Sequence, residues 1–362
     1  MRRVAPCCLL LAAVALLSAC NEMQYYSQSV RGHLYVLDQA QDIEQLLAEG
    51  KLDAAVRDKL VLVTQAREFA GERLALSFND SYTQYVDLQR DYVVQNLYAA
   101  PEFSTQLYSW CYPVIGCANY RGYFDTAMLQ RYRDELEKQG YETYVAHVTA
   151  YSTLGWFPDP VLNTFVALPD YRLVGLVFHE LAHQQLYIDG DTAFNESFAT
   201  AVEQAGLEQF YASGNDADQL VQYRAYRARV NALVRLAAEG REALDSIYQQ
   251  PVTEEEKRQQ KAEVIERLDR RYAALTNSAA SSPSTAPSAI FNNARLGAMA
   301  AYHQYVPAFL HILASHNRNF PAFYAHVSAL GELAPEKREQ CLLLWAEAGE
   351  SATTQMPTWC SG

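Results

Sequence analysis

Leu176 to Glu203, LVFHELAHQQLYIDGDTAFNESFATAVE, limits the possible folds of this chain more than any other stretch. It contains His179-Glu180-Leu181-Ala182-His183, an H-E-x-x-H pattern. Side chains four apart on an α-helix share a face, one turn above the other. A helix here therefore aims both imidazoles at one point. The apolar run Tyr171 to Phe178 predicts that helix, with Asp170 as its N-cap. Asp189-Gly190-Asp191 ends it and turns the chain back, and Asn195-Glu196 opens a second helix. The reversal brings Glu196 to the two imidazoles as a third donor. Such a set suits one Zn²⁺ about 2.0–2.1 Å from each nitrogen, with a fourth position left for water, the catalytic arrangement. Glu180 lies on the flank of that face, where it can act as general base without ligating. Glu203 comes seven residues after Glu196 and shares its face. It either orients a metal-bound histidine or is a surface carboxylate.

The other end of the chain speaks to address. Arg2 and Arg3 precede an apolar run, Cys7 to Leu17, too short to span a bilayer permanently. It ends in Leu17-Ser18-Ala19-Cys20, which resembles a bacterial lipobox. That resemblance implies a signal peptide over 1–19, acylation of Cys20, and a periplasm-facing envelope lipoprotein. Asn21 after the cysteine leans toward the outer rather than the inner membrane. Cleavage removes two arginines and no acid, so the formal net charge of −13 becomes −15. An acidic chain repels phosphate backbones, so nucleic acid is not expected as a partner. Four cysteines remain beyond Cys20: Cys111, Cys117, Cys341 and Cys360. An even number in an exported chain suggests two disulfides. Nearest-neighbour pairing is preferred among the three connectivities open to them.

Residues 20–362 read as a single domain. Helical spacing predicts a hairpin over about 38–77, with residues 21–35 leading from the anchor into it. Strand-like sequence follows at 92–98, then a hairpin punctuated by Pro113, Gly116 and Gly122 that the cysteines 111 and 117 can close. Arg121, between tyrosines, is open to two roles: a substrate contact or a cation stacked on aromatic rings. A helix over 128–139 and β-rich sequence over 142–152 come next. After the metal motif, a helical hairpin is expected at about 219–275 and a flexible Ser/Ala/Pro loop at about 276–289.

Five stretches within about residues 85–310, WCYPVIGCANYRGYF, AYSTLGWFPDPVLNT, FHELAHQQLY, FNESFATAVE and FNNARL, resemble the bacterial family of predicted zinc-dependent aminopeptidases, envelope proteins of gluzincin type. The resemblance implies an α+β, mostly helical fold of zincin type, with a small mixed sheet beside the metal helix. It carries His179, His183 and Glu196 over as ligands and Glu180 as general base. Zinc peptidases place a sheet edge just before the metal helix to receive an extended peptide. That assigns Gly155 and Trp156 to substrate binding. Well-studied gluzincin aminopeptidases have G-x-M-E-N there, whose glutamate binds the free amine. Here Leu154-Gly155-Trp156-Phe157 brings no acid. A donor for the oxyanion is sought among Tyr302, His303, Tyr305 and Arg295, with Tyr302 first. The function expected is peptide hydrolysis with one Zn²⁺. A non-catalytic, zinc-containing envelope binding or assembly lipoprotein is the alternative.

Overall fold

Chain reversal at short turns and long amphipathic stretches produce a mostly helical molecule with small sheets. The computed structural model describes residues 5–362 except 78, 113–115, 151, 154–155, 215, 277–289, 302–303, 349–356 and 361–362, and describes the backbone alone for 5–21 and 300–301. The chain opens with helix α1 (Ala5–Asp38), so residues 21–35 are helical rather than a lead-in. Strand β1 (Gln41–Asp42) and helices α2 (Ile43–Glu49) and α3 (Ala54–Leu74) follow where a hairpin is expected, but α3 packs chiefly on the helix of the H-E-x-x-H motif. Asp42 and Asp53 cap these helices by accepting from the backbone N–H groups of Gln45 and Ala55. Gly50 turns the chain between them in the left-handed region.

Strands β2 (Gln84–Val86), β3 (Val94–Pro101), β4 (Trp110–Tyr112), β5 (Gly116–Ala118) and β6 (Arg121–Tyr123) precede helix α4 (Thr126–Lys138) and strand β7 (Tyr141–Val148). The largest sheet has the order β6-β3-β7 and is antiparallel throughout. The mixed sheet is a smaller one, β1-β2-β8, in which β2 runs parallel to β8 (Val161–Leu162). β4 and β5 pair Cys111 opposite Cys117, and the two cysteines are bonded. Cys341–Cys360 is the second disulfide, so both pairings are between nearest neighbours.

Helices α5 (Asn163–Val166), α6 (Asp170–Gln185) and α7 (Thr192–Ser213) carry the metal motif. α6 is walled chiefly by α3, α7 and α8 (Ala217–Tyr248), so its neighbours are helices. Asp170 is the first residue of α6, and Pro169 holds the cap position. The Asp170 carboxylate instead pairs with Lys59 of α3 at 2.5 Å, at the positive end of the helix dipole. α8 folds back on α9 (Glu254–Thr276), as the charged periodicity predicts. Helices α10 (Asn293–Ala301), α11 (Val306–Ser315), α12 (Phe320–Gly331) and α13 (Pro335–Ala348) complete the chain. The main core lies where α3, α6, α7, α11 and α12 meet, with Phe178, Phe194, Phe198, Phe309 and Phe323 fully buried. The loop expected at 276–289 lies almost wholly outside the described residues.

The second disulfide staples the C-terminus to α13 inside this core, with both sulfurs buried. Cys341→Ser with Cys360→Ser should lower unfolding stability by about 3 kcal/mol, the value for a loop of this size. Urea denaturation of the oxidised wild type and the double variant measures it.

Candidate metal centre

Helix α6 presents His179 and His183 on one face, and α7 returns Glu196 to them. The two Nε2 atoms are 3.2 Å apart. Glu196 Oε2 lies 3.4 Å from His179 Nε2, and Oε1 lies 3.8 Å from His183 Nε2. Donors about 2.0–2.1 Å from a central ion in tetrahedral array stand about 3.3–3.4 Å from one another. The spacings of 3.2 and 3.4 Å fit that figure, and the third, 3.8 Å, is somewhat longer. Among the described residues, these three form a group whose ligand atoms all lie within 4.8 Å.

The turn that delivers Glu196 is held at both ends. Asn195 accepts from the Ile188 N–H through Oδ1 and donates to the Ile188 carbonyl through Nδ2, each at 2.8 Å. Asp191 caps α7 by accepting from the Phe194 N–H, and Arg338 pairs with the same carboxylate at 2.8 Å. Ser197 accepts from the Tyr305 backbone N–H. Every tether here lies within a few residues of Glu196.

Glu203 Oε2 stands 3.4 Å from His179 Nδ1, on the far side of the ring from Glu196. Gly175 makes the approach possible. A Cβ there would lie 3.2 Å from Glu203 Oε1 and 2.9 Å from Leu207 Cδ1. The glycine sits one turn before His179, so the missing side chain is the space Glu203 occupies. His183 Nδ1 is buried with no hydrogen-bond partner among the described residues.

Burial and neighbours drive these groups apart electrostatically. Burial depresses the basicity of His179, but Glu196 and Glu203 outweigh it and hold the imidazole well above its ordinary range. Burial pushes His183 down to about 4, with Glu196 opposing. Burial lifts Glu180 to about 7; His179 works against this, and the charges of Glu196, Asp159 and Glu203 add to it. Burying a carboxylate costs several kcal/mol unless it is compensated. A divalent cation between two imidazoles and a carboxylate supplies that compensation, so the donor set fits one.

Residues 24–342 match the model of the family described as "Putative aminopeptidase". The chain belongs to this family. No curated protein and no solved structure matches it. The family match spans all three ligand candidates together with Glu180 and Glu203.

Among the other sequence candidates, Arg121, Tyr305 and Arg295 have partners of their own. Arg121 is buried. Its guanidinium pairs with Glu22 of α1 at 3.0 Å and stacks 3.8 Å from the Tyr25 ring centroid. Its charge and its ring face are thus both engaged within the fold. Trp156 is 78% exposed, while Gly155, Tyr302 and His303 lie outside the described residues. Tyr305 is buried and donates to Glu339. Arg295 stacks on Tyr144, Tyr272 and Phe291.

Three further residues border the site. Burial and the Glu196 charge together raise the phenols of Tyr120 and Tyr187, so both feel that carboxylate. The Tyr187 ring lies 6.3 Å from that of His183, four residues earlier. Helical spacing does not account for it, because α6 ends at Gln185 and Leu186 is extended, so the turn beyond the helix carries Tyr187 back toward the site. No sequence signal marks Asp159 either. It is 2% exposed and accepts from Thr153 N, Ser152 Oγ and Gln184 Nε2. Gln184 follows His183, so Asp159 ties the loop before α5 to the metal helix.

Two outcomes follow from this geometry. Gly175→Ala should weaken divalent-metal binding about 10–100-fold by displacing Glu203, while the helix itself gains propensity. Competition against a chromogenic chelator reads the affinity, and circular dichroism reads the fold. Arg121→Met should cost about 1–3 kcal/mol of stability and leave metal affinity unchanged, measured by thermal unfolding and the same competition.

Proposed function

We propose that this protein is a zinc-dependent peptidase of the envelope, acting as an aminopeptidase. The convergence of His179 Nε2, His183 Nε2 and Glu196 within ligand distance of one another carries this reading. The family description supports the peptide-bond chemistry. Two imidazoles and one carboxylate, with room for a further ligand, are a donor set that suits Zn²⁺ in catalytic sites.

His179, His183 and Glu196 would hold the ion, and Glu203 fixes the ring of His179 through its Nδ1. A bound Zn²⁺ supplies Lewis-acid chemistry, polarising a carbonyl and acidifying water. Glu180 is the proton carrier. It takes the proton from the attacking water and returns it to the leaving amine. It is buried and adjoins His179 in the chain, where it can serve both directions of transfer. Among the described residues, Tyr120 and Tyr187 lie within reach of the Glu196 charge and are candidates, together with Tyr302, for donating to the developing oxyanion.

The exported, lipidated state is also proposed. Leu17-Ser18-Ala19-Cys20 supports it, as do the two disulfides, which persist in oxidising compartments. Among the described residues, no helix is long and apolar enough to cross a membrane.

Glu180→Gln keeps the shape of the side chain and removes the base. It should bind stoichiometric zinc yet lose about 10²–10⁴-fold in turnover. Metal analysis and a peptide-library digest with free and blocked N-termini, read by mass spectrometry, test this. Cleavage confined to free N-termini supports the aminopeptidase assignment. Undiminished activity in the variant, or zinc without turnover in the wild type, overturns the mechanism.

A further inference from the structure

Helix α1 is apolar on two opposite faces. One face carries Tyr25 and Val36, buried against the body. The other carries Met23, Tyr26, Val30 and Leu34, which are 71%, 41%, 57% and 56% exposed. At 3.6 residues per turn these four positions and position 20 fall within about a third of the helix circumference. Between Glu22 and Asp38 the only charged residue is Arg31, and Glu22 is engaged by Arg121. The patch continues beyond the helix. His33 of α1 meets Phe157 with ring centroids 5.0 Å apart, and Trp156 stands beside it, almost fully exposed.

The geometry points to a seat on a lipid bilayer: the outer face of α1 and the Trp156–Phe157 loop tip lie in the membrane interface. The inference rests on the lipoprotein reading of Cys20 and goes beyond it. An acyl chain at Cys20 alone leaves the body free to swing. Here the helix continues unbroken through position 20, and Arg121 clamps α1 to β6 two residues later. The anchor is therefore joined stiffly to the body, and the exposed apolar face begins three residues beyond it. The composition fits a bilayer interface, where Trp and Tyr concentrate with their apolar bodies in lipid and polar tips in water. The acidic chain draws no help from anionic headgroups, so the seat is apolar and accepts zwitterionic lipid. Asp159 bonds the same loop to Gln184, beside His183, so the seat also fixes how the metal helix faces the membrane.

The mature acylated chain offers a direct test, because Cys20 is blocked by lipid and the other four cysteines are in disulfides. Val30→Cys, or Arg267→Cys on the exposed side of α9, then carries the one thiol-reactive fluorophore. Each protein is reconstituted in phosphatidylethanolamine–phosphatidylcholine vesicles containing nitroxide lipid. Several-fold stronger quenching at position 30 than at 267, lost with Met23→Glu and Leu34→Glu added, is the expected result. Equal quenching at both positions overturns the proposal. So does a label at position 30 shielded from lipid in a particle of doubled mass, which would make a second copy the occupant. Mass spectrometry reads the acylation separately. If Cys20 carries no lipid, the lipoprotein reading fails. The seat is then judged by flotation of the unacylated chain on excess vesicles, where binding abolished by the two glutamates sustains it and absence of binding ends it.

Discussion

The close crossing of α6 and α7 governs this molecule. Two helices normally stand apart by the width of their side chains. Here Gly175 lets Glu203 and Leu207 press onto α6, and Gly206 lets Phe178 and Leu74 press onto α7. The approach brings a carboxylate to each side of His179. It also takes Glu180 and His183 out of water, along with most of Glu196 and Glu203. Charged groups in such a place cost several kcal/mol each unless compensated. The surrounding aromatic core, chiefly Phe178, Phe194, Phe198 and Phe309, provides the apolar burial that sustains it.

Around that crossing, polar contacts serve geometry more than stability. Lys59 holds the start of α6, Arg338 and Asn195 hold the start of α7, and Gln184 holds the end of α6 to Asp159. The partly exposed Lys59–Asp170 pair contributes little net free energy, whereas Arg338 is buried and also donates to the Gly331 and Leu333 carbonyls. The positions of these contacts explain them better, because each lies within a turn or two of a ligand candidate. A metal centre of the kind proposed would need its donors held to fractions of an ångström, and these contacts restrict the elements that carry the candidates.

A second centre of organisation lies at the sheet. β6 joins α1 to the body through Arg121, whose charge meets Glu22 and whose plane lies on Tyr25. Arginine suits this place, since it can form a two-pronged ion pair while stacking on a ring. The result is that the helix leading from the predicted acylation site is part of the domain, while its outer face stays apolar and bare.

Much of this was legible in the residue order. Helical periodicity located α3, α4, α8 and α9 to within a few residues, because each presents a long repeat that only a helix can bury on one side. The H-E-x-x-H spacing brought His179 and His183 together by helix geometry alone, and the Asp-Gly-Asp break set Glu196 on a returning helix. Chain order could not supply the roles of Arg121, Tyr305 and Arg295, whose neighbours come from elements distant in sequence. The same holds for Asp159, whose place beside Gln184 depends on how the segment from β7 to β8 packs, and for Glu203, where a buried partner and a solvated carboxylate read alike until Gly175 is seen beneath it. The antiparallel order β6-β3-β7 likewise follows from pairing across the chain. Local spacing determined the donors on each helix; only the depth at which two helices cross, set by a glycine and the core behind it, decided which carboxylates meet them.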